Sequence, residues 1–207
     1  RFIPPGAVAH GNVAPPANAH VDADGVRVQP LAVTSPLGPL QGVLTLPAGK
    51  GPFPAVLLVA GSGPNDRDET IGPNKPFRDI ADGLAAAGVA SLRYDKRTHV
   101  YGAQMAGKAI TVDDEVTDDA LSALRELGRQ PPVDARRLFV LGHSLGALMA
   151  PRIGERDPQL AGLILLAAPV SFSLGTVVHQ LRYIGHLKGK PAAELDKELA
   201  PVIKARD

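Results

Sequence analysis

Leu138-Phe139-Val140-Leu141-Gly142-His143-Ser144-Leu145-Gly146-Ala147-Leu148-Met149-Ala150 is the stretch whose reading decides the fold. Leu138 to Leu141 form a short, continuously apolar run of the kind found in strands buried on both faces, and Ala147 to Ala150 begin a helix. Between them sits a G-x-S-x-G pentapeptide, Gly142 to Gly146. A strand that turns sharply into a helix strains the backbone of the central serine, and side chains at the flanking positions would clash with the neighbouring strand and helix. Glycine meets both demands. The turn lifts the Ser144 hydroxyl clear of the sheet. It also aims the helix N-terminus and the Leu145 amide at an oxygen that becomes negative during acyl transfer. Ser144 is therefore expected to be a nucleophile and Leu145 an oxyanion donor; the alternative is a tight turn holding an inert serine.

Working outward, the same apolar signature returns at Ala55 to Val59, at Leu163 to Ala167 and, interrupted by Ser91 and Arg93, at Val89 to Tyr94. A strand solvated on one face would alternate, so these runs read as buried on both faces. Phe77 to Ala87 places Phe77, Ile80, Ala81 and Leu84 at helical spacing and stops at Gly88. Val112 to Leu127 aligns Val116, Ala120, Leu124 and Leu127 behind an acid-rich first turn. Buried strands alternating with amphipathic helices specify βαβ units and a mainly parallel α/β sheet. Val26 to Val33 and Leu40 to Leu46, joined around Ser35-Pro36-Leu37-Gly38-Pro39, read as a hairpin that forms an antiparallel N-terminal edge. Residues 1–25, rich in Pro, Ala and Gly, read as an extended arm or linker. Residues 26–170 are the expected core. Residues 171–207 are read as a helical cap built from Phe172 to Leu187 and Ala192 to Arg206, and no strand signal follows Ala167.

The loop after the first buried parallel strand, Gly61-Ser62-Gly63-Pro64, follows the strand two before the one that leads into Ser144. A serine elbow needs a second oxyanion donor from that loop, so the backbone N–H of Ser62 is the expected partner of Leu145. The alternative is an ordinary Gly-Pro turn. It is not a dinucleotide fingerprint, because the third glycine of G-x-G-x-x-G is missing. Arg67, Asp68, Asp95, Lys96 and Arg97 crowd the loops at the carboxyl ends of the strands, where open α/β sheets bind ligands. They are expected either to orient a substrate, to pin the oxyanion loop through Asp95 and Arg97, or to form a solvated charge cluster.

Four motifs in order, Gly61-Ser62-Gly63-Pro64-Asn65-Asp66-Arg67-Asp68, Gly72-Pro73-Asn74-Lys75-Pro76-Phe77, Leu92-Arg93-Tyr94-Asp95-Lys96-Arg97-Thr98 and Gly142-His143-Ser144-Leu145-Gly146, resemble a group of bacterial α/β-hydrolase serine esterases. The resemblance runs from about Val26 to Ala205. It implies hydrolysis of a small-molecule carboxylic ester by a Ser-Asp/Glu-His triad, with Ser144 matching the nucleophile and Ser62 and Leu145 the oxyanion donors. Members are commonly exported, so export is an expectation here. In that group the stretch after Leu163 to Ala167 matches a helical cap, here carrying Leu174, Val177, Val178, Leu181 and Ile184 over an acyl pocket. The triad acid and histidine follow after two further strands.

That order raises a difficulty, since a serine needs a base, itself oriented by an acid. Only His179 and His186 follow Ser144, both within an expected helix, and His143 is expected to be structural, its ring turned from the hydroxyl. The expectation is that the sequence stops before its triad, leaving the C-terminal strands missing or supplied by a second chain. The first residues, Arg1-Phe2-Ile3, likewise suggest a processed or trimmed start. The alternatives left open are a catalytically incomplete fragment, a non-catalytic binding protein, or thioesterase or peptidase chemistry on the same machinery.

Composition narrows the rest. With 207 residues, 44% hydrophobic and 21% charged, one globular domain is the expectation. A net charge of +1 without basic blocks gives no electrostatic case for nucleic acid. The absence of cysteine excludes disulfides, zinc-thiolate sites and a thiol nucleophile. No pair of histidines has metal-ligand spacing, so neither metal nor cofactor is expected, and no apolar run approaches the ~20 residues of a membrane span.

Overall fold

A computed structural model describes residues 18–170 and 173–206. The arm reading over residues 1–17 and the helix start at Phe172 lie outside those described residues. In chain order the elements are β1 (His20–Val21), β2 (Arg27–Val33), β3 (Leu40–Leu46), β4 (Phe53–Val59), α1 (Pro76–Ala86), β5 (Ala90–Tyr94), α2 (Arg97–Val100) and α3 (Gly102–Met105). A turn of π-helix, Asp113–Thr117, then leads into α4 (Asp118–Gly128), β6 (Val133–His143), α5 (Leu145–Arg156), β7 (Gly162–Leu166), α6 (Leu174–Leu187) and α7 (Ala192–Arg206). Two compact units divide between Ala168 and Pro169.

In the first unit one sheet runs in the order β1-β2-β3-β5-β4-β6-β7. β5, β4, β6 and β7 are parallel neighbours, and β1, β2 and β3 extend the sheet antiparallel on the β5 side. The expected α/β architecture with an antiparallel N-terminal edge is thus present. The edge reaches further than the hairpin reading: exposed β1, within the expected arm, pairs with β2 through His20↔Val28 and Val21↔Arg27.

Side-chain alternation along β4 divides the core into two layers. Ala55, Leu57 and Val59 join a large cluster with Val116, Ala120, Leu124 and Leu127 from the π-turn and α4, and with Leu145, Ala150 and Ile153 from α5. Val56, Leu58 and Ala60 face the other way onto Phe77 and Ala81 of α1. Both faces of β4 are therefore dry, which explains why its sequence does not alternate. β4 lies between β5 and β6, so the chain leaves it in one direction and returns on its other side. The loops after β4 and β6 thereby flank a crevice at the carboxyl ends of the strands.

Two expectations need correction. Leu163 to Ala167 reads as buried on both faces, yet Leu163, Ile164, Leu165 and Leu166 are 37–47% exposed. The reason is position: β7 has a sheet neighbour, β6, on one side only among the described residues. The single helix expected over Val112 to Leu127 instead opens with the π-turn, a wider coil that carries Glu115.

The second unit is a pair of helices. α6 is preceded by Ser173, whose hydroxyl accepts from the Thr176 amide as an N-cap. Val178 of α6 and Leu195 and Leu199 of α7 are buried, Gly185 lies against Leu195, an Arg182–Asp196 ion pair bridges the helices, and Lys190 of the connection between them pairs with Glu198 of α7. No helix among the described residues is long and apolar enough to cross a membrane.

Candidate active site

Ser144 sits between β6 and α5 with φ 51° and ψ −113°, a conformation side chains rarely adopt. Its amide donates to the Leu166 carbonyl at 2.9 Å, fixing the elbow to the end of β7. The flanking glycines are required by contact. A Cβ on Gly142 would overlap the Gly146 carbonyl, and one on Gly146 would overlap the Val59 carbonyl of β4. Leu145 is the first residue of α5, so its N–H has no partner within the helix. This is the strained strand-to-helix turn expected from the sequence.

The loop after β4 reaches this elbow. A Cβ built on Gly61 would lie 3.2 Å from the Ser144 Cβ and 3.2 Å from Glu69 Oε1, so Gly61 marks a close approach of backbone to serine. The loop is held by hydrogen bonds on nearly every polar group. Gly61 N–H donates to Glu69 Oε1 at 2.7 Å, and the Gly61 carbonyl accepts from Lys96 Nζ at 2.6 Å and Asn65 Nδ2 at 3.0 Å. The Ser62 carbonyl accepts from Asn65 Nδ2 at 3.2 Å. Gly63 N–H donates to Glu115 Oε1 at 2.9 Å, and its carbonyl accepts from Thr98 Oγ1 at 3.2 Å.

The charged residues of the two loops are ordered rather than solvated. Arg67, Asp95, Lys96 and Arg97 are all buried. Asp95 accepts from Arg67 three times, from its backbone N–H at 2.8 Å and from Nε and Nη2 at 3.0 Å each. Asp68 is held by Lys75 at 2.8 Å and Arg93 at 2.9 Å. Burial pushes its carboxyl up, but those hydrogen bonds outweigh burial and leave it below the ordinary carboxylate range. Arg97 turns to Asp119 of α4 at 2.6 and 2.9 Å. The direct hold on Gly61-Ser62-Gly63 thus comes from Lys96, with Glu69 and Glu115, and not from Asp95 and Arg97. Asp95 secures the further end of the same loop, at Arg67.

Glu69 and Glu115 escaped the sequence reading. Glu115 lies in an acid-rich stretch that reads as a helix start, and Glu69 follows a run of charged loop residues; neither carries a local signal of its long-range contact. Glu69 is buried at φ 51°, and Oε1 accepts from His143 Nδ1 at 2.8 Å as well as from Gly61. Among the described residues no hydrogen bond joins the Ser144 hydroxyl to a histidine; His179 and His186 are exposed on α6. No cluster of His, Asp or Glu among the described residues is arranged to hold a metal ion.

Comparison with known proteins places this geometry. Over 148 residues the chain is 48% identical to Esterase EstD of Thermotoga maritima, covering 72% of this chain and 35% of that protein. Over 145 residues it is 31% identical to Esterase FrsA of Yersinia pestis, covering 70% and 30%. The chain therefore spans about a third of the length of the curated relatives it matches. Among solved structures, a dienelactone hydrolase from Anabaena variabilis superposes with a TM-score of 0.56 at 20% identity, over 69% of this chain and 64% of that one. Esterase Est22 superposes with a TM-score of 0.54 at 16% identity, over 72% and 45%. These structural likenesses establish a shared fold, that of the α/β-hydrolases. Residues 74–200, more than half of the chain, match the family model described as "Serine aminopeptidase, S33", and the chain belongs to that family of hydrolases.

Proposed function

We propose that the protein containing this chain hydrolyses small-molecule carboxylic esters through an acyl-enzyme on Ser144. The single observation that carries the reading is the elbow: a serine at φ 51° between a buried strand and a helix N-terminus, with Gly61 of the neighbouring loop packed against its Cβ. Attack by the Ser144 oxygen on an ester carbonyl forms a tetrahedral intermediate. The N–H groups of Ser62 and Leu145 take up its negative oxygen. Collapse releases the alcohol and leaves an acyl-serine, which water then cleaves to the acid.

The proton removed from Ser144 needs a histidine base. Because no histidine among the described residues bonds to the Ser144 hydroxyl, this reading takes the base and its acid from outside the described residues, from the same polypeptide or a second one. The family description names an aminopeptidase, and amide cleavage uses the same intermediates. The ester substrate is chosen because both curated relatives above are named esterases.

The test is intact-mass measurement after treatment with a fluorophosphonate, which forms a stable adduct with an activated serine. One adduct, absent in Ser144→Ala, is expected for the whole protein. No adduct on Ser144 in an otherwise folded protein overturns the reading.

A further inference from the structure

We propose that Lys96 is the positioning residue of the oxyanion donor: by holding the Gly61 carbonyl it sets the direction in which the Ser62 N–H points. The inference rests on the ester-hydrolase reading and adds a part of the machinery to it. The Gly61–Ser62 peptide is trans, since the cis bond among the described residues is Gly51–Pro52. In a planar trans peptide the C=O and N–H point to opposite sides, so whatever fixes the carbonyl fixes the amide. Lys96 Nζ, 2.6 Å from Gly61 O, makes the shorter of the two hydrogen bonds to that carbonyl, and it is the charged one.

The surrounding loop leaves one donor over. Gly61 N–H is taken by Glu69, Gly63 N–H by Glu115, and the three carbonyls by Lys96, Asn65 and Thr98. Of the backbone polar groups of Gly61, Ser62 and Gly63, the Ser62 N–H alone has no hydrogen-bond partner among the described residues. A loop in which every neighbour is tied presents that amide in one orientation before any substrate arrives. This is what a preorganised oxyanion donor requires.

The lysine is also costly to keep where it is. It is 4% exposed, and burial pulls its ammonium below the ordinary lysine value against the opposing pull of Glu115, Glu69 and Asp119. Glu115, 2.8 Å from Nζ, offsets part of that cost and uses the same oxygen to hold Gly63 N–H. An apolar side chain would be cheaper in this space. What it could not do is hold the Gly61 carbonyl, and glycines on either side of Ser62 give the peptide little resistance to rotation.

The experiment compares steady-state turnover of a matched ester and thionoester by the whole protein, as wild type, Lys96→Met, Glu115→Gln and Ser144→Ala. A developing sulfur anion is larger and accepts hydrogen bonds weakly, so the oxygen-to-sulfur rate ratio reports how well the hole fits an oxyanion. That ratio is independent of the fraction of molecules that fold. For Lys96→Met we expect kcat on the ester to fall about tenfold to a hundredfold, approaching the loss of a whole oxyanion donor, with KM nearly unchanged and the rate ratio reduced. Glu115→Gln, which keeps the side-chain volume and leaves Lys96 in place, should move the ratio in the same direction by less. A ratio equal to wild type in both variants overturns the role of Lys96, whatever happens to kcat. Turnover surviving in Ser144→Ala overturns the ester-hydrolase reading, and this inference with it.

Discussion

Glu69 Oε1 accepts from His143 Nδ1 at 2.8 Å, joining the turn after β4 to the last residue of β6, 74 positions along the chain. Because the same oxygen accepts from the Gly61 amide, one buried carboxylate ties the loop to the residue preceding Ser144.

Removing that carboxylate should be expensive. Glu69→Ala strands the buried Gly61 amide without an acceptor, and a buried donor left unsatisfied costs about 1–3 kcal/mol. Glu69→Gln retains an oxygen for Gly61 and should lose about 1 kcal/mol, the value of one ordinary hydrogen bond. Urea unfolding of both variants checks this: the midpoint should drop in the order wild type, Gln, Ala, with the slope unchanged. Equal midpoints for Gln and Ala would show that the Gly61 bond carries no stability.

Asp95 gives a larger effect through a different mechanism. It is fully buried and makes three hydrogen bonds to Arg67. Asp95→Ala removes those three hydrogen bonds from a buried ion pair, and breaking such a pair from one side costs about 3–5 kcal/mol. The double variant Asp95→Ala/Arg67→Met should recover part of the loss, because the buried guanidinium is removed together with its carboxylate. Chemical denaturation of the two variants and wild type decides it; a double variant no better than the single would place the loss in packing rather than in charge.

Acid pH should weaken the anchoring of α5. Asp113 in the π-turn accepts from Arg152 Nε at 2.9 Å and Nη2 at 2.7 Å, and from Arg156 Nη2 at 2.9 Å. The Arg152 bonds, with Arg156 and against a small burial penalty, hold its carboxyl down at about 2 from an ordinary 3.8. The folded value lies below the unfolded one, so the unfolded chain binds more protons between them and stability rises with pH there. The contribution is complete above about pH 4 and disappears as pH falls towards 2. The side chain is part-exposed, so screening reduces it to about 0.5–1 kcal/mol. Wild type minus Asp113→Asn, measured as unfolding free energy at several pH values, should be flat above pH ~4 and shrink below it.

The legibility of the sequence follows the range of the interactions. β4 was readable within two residues because burial on both faces writes itself locally as an unbroken apolar run. The elbow was readable because strand, glycines and helix are contiguous. Exposure of β7 was not, since being an edge depends on what lies beside a strand and not on the strand itself. The clamp on Gly61 to Gly63 was missed for the same reason: Glu115 meets Gly63 across 52 residues and Lys96 meets Gly61 across 35. Assigning loop control to Asp95 and Arg97 identified the right segment but not the residue between them. Which of three consecutive charged side chains faces the loop is set by how the chain leaves β5, and spacing alone does not reveal that.

Two glycine substitutions should separate contact from conformational freedom. Gly83 lies on the exposed side of α1, and a Cβ there meets nothing within 4 Å. Gly83→Ala therefore removes flexibility from the unfolded chain at no steric expense and should stabilise by about 0.5–1 kcal/mol. Gly146 also lies in a helix, but its Cβ would overlap the Val59 carbonyl and come within 2.8 Å of the Ala60 carbonyl. Those are backbone atoms of β4 and the residue after it, which cannot move aside without parting α5 from the sheet. Gly146→Ala should destabilise by about 3 kcal/mol and shift Ser144 away from the loop after β4. Thermal unfolding should then move up by a few degrees in the first variant and down by several in the second. If Gly146→Ala unfolds like wild type, the close packing of elbow against β4 is not what holds Ser144 in its strained conformation.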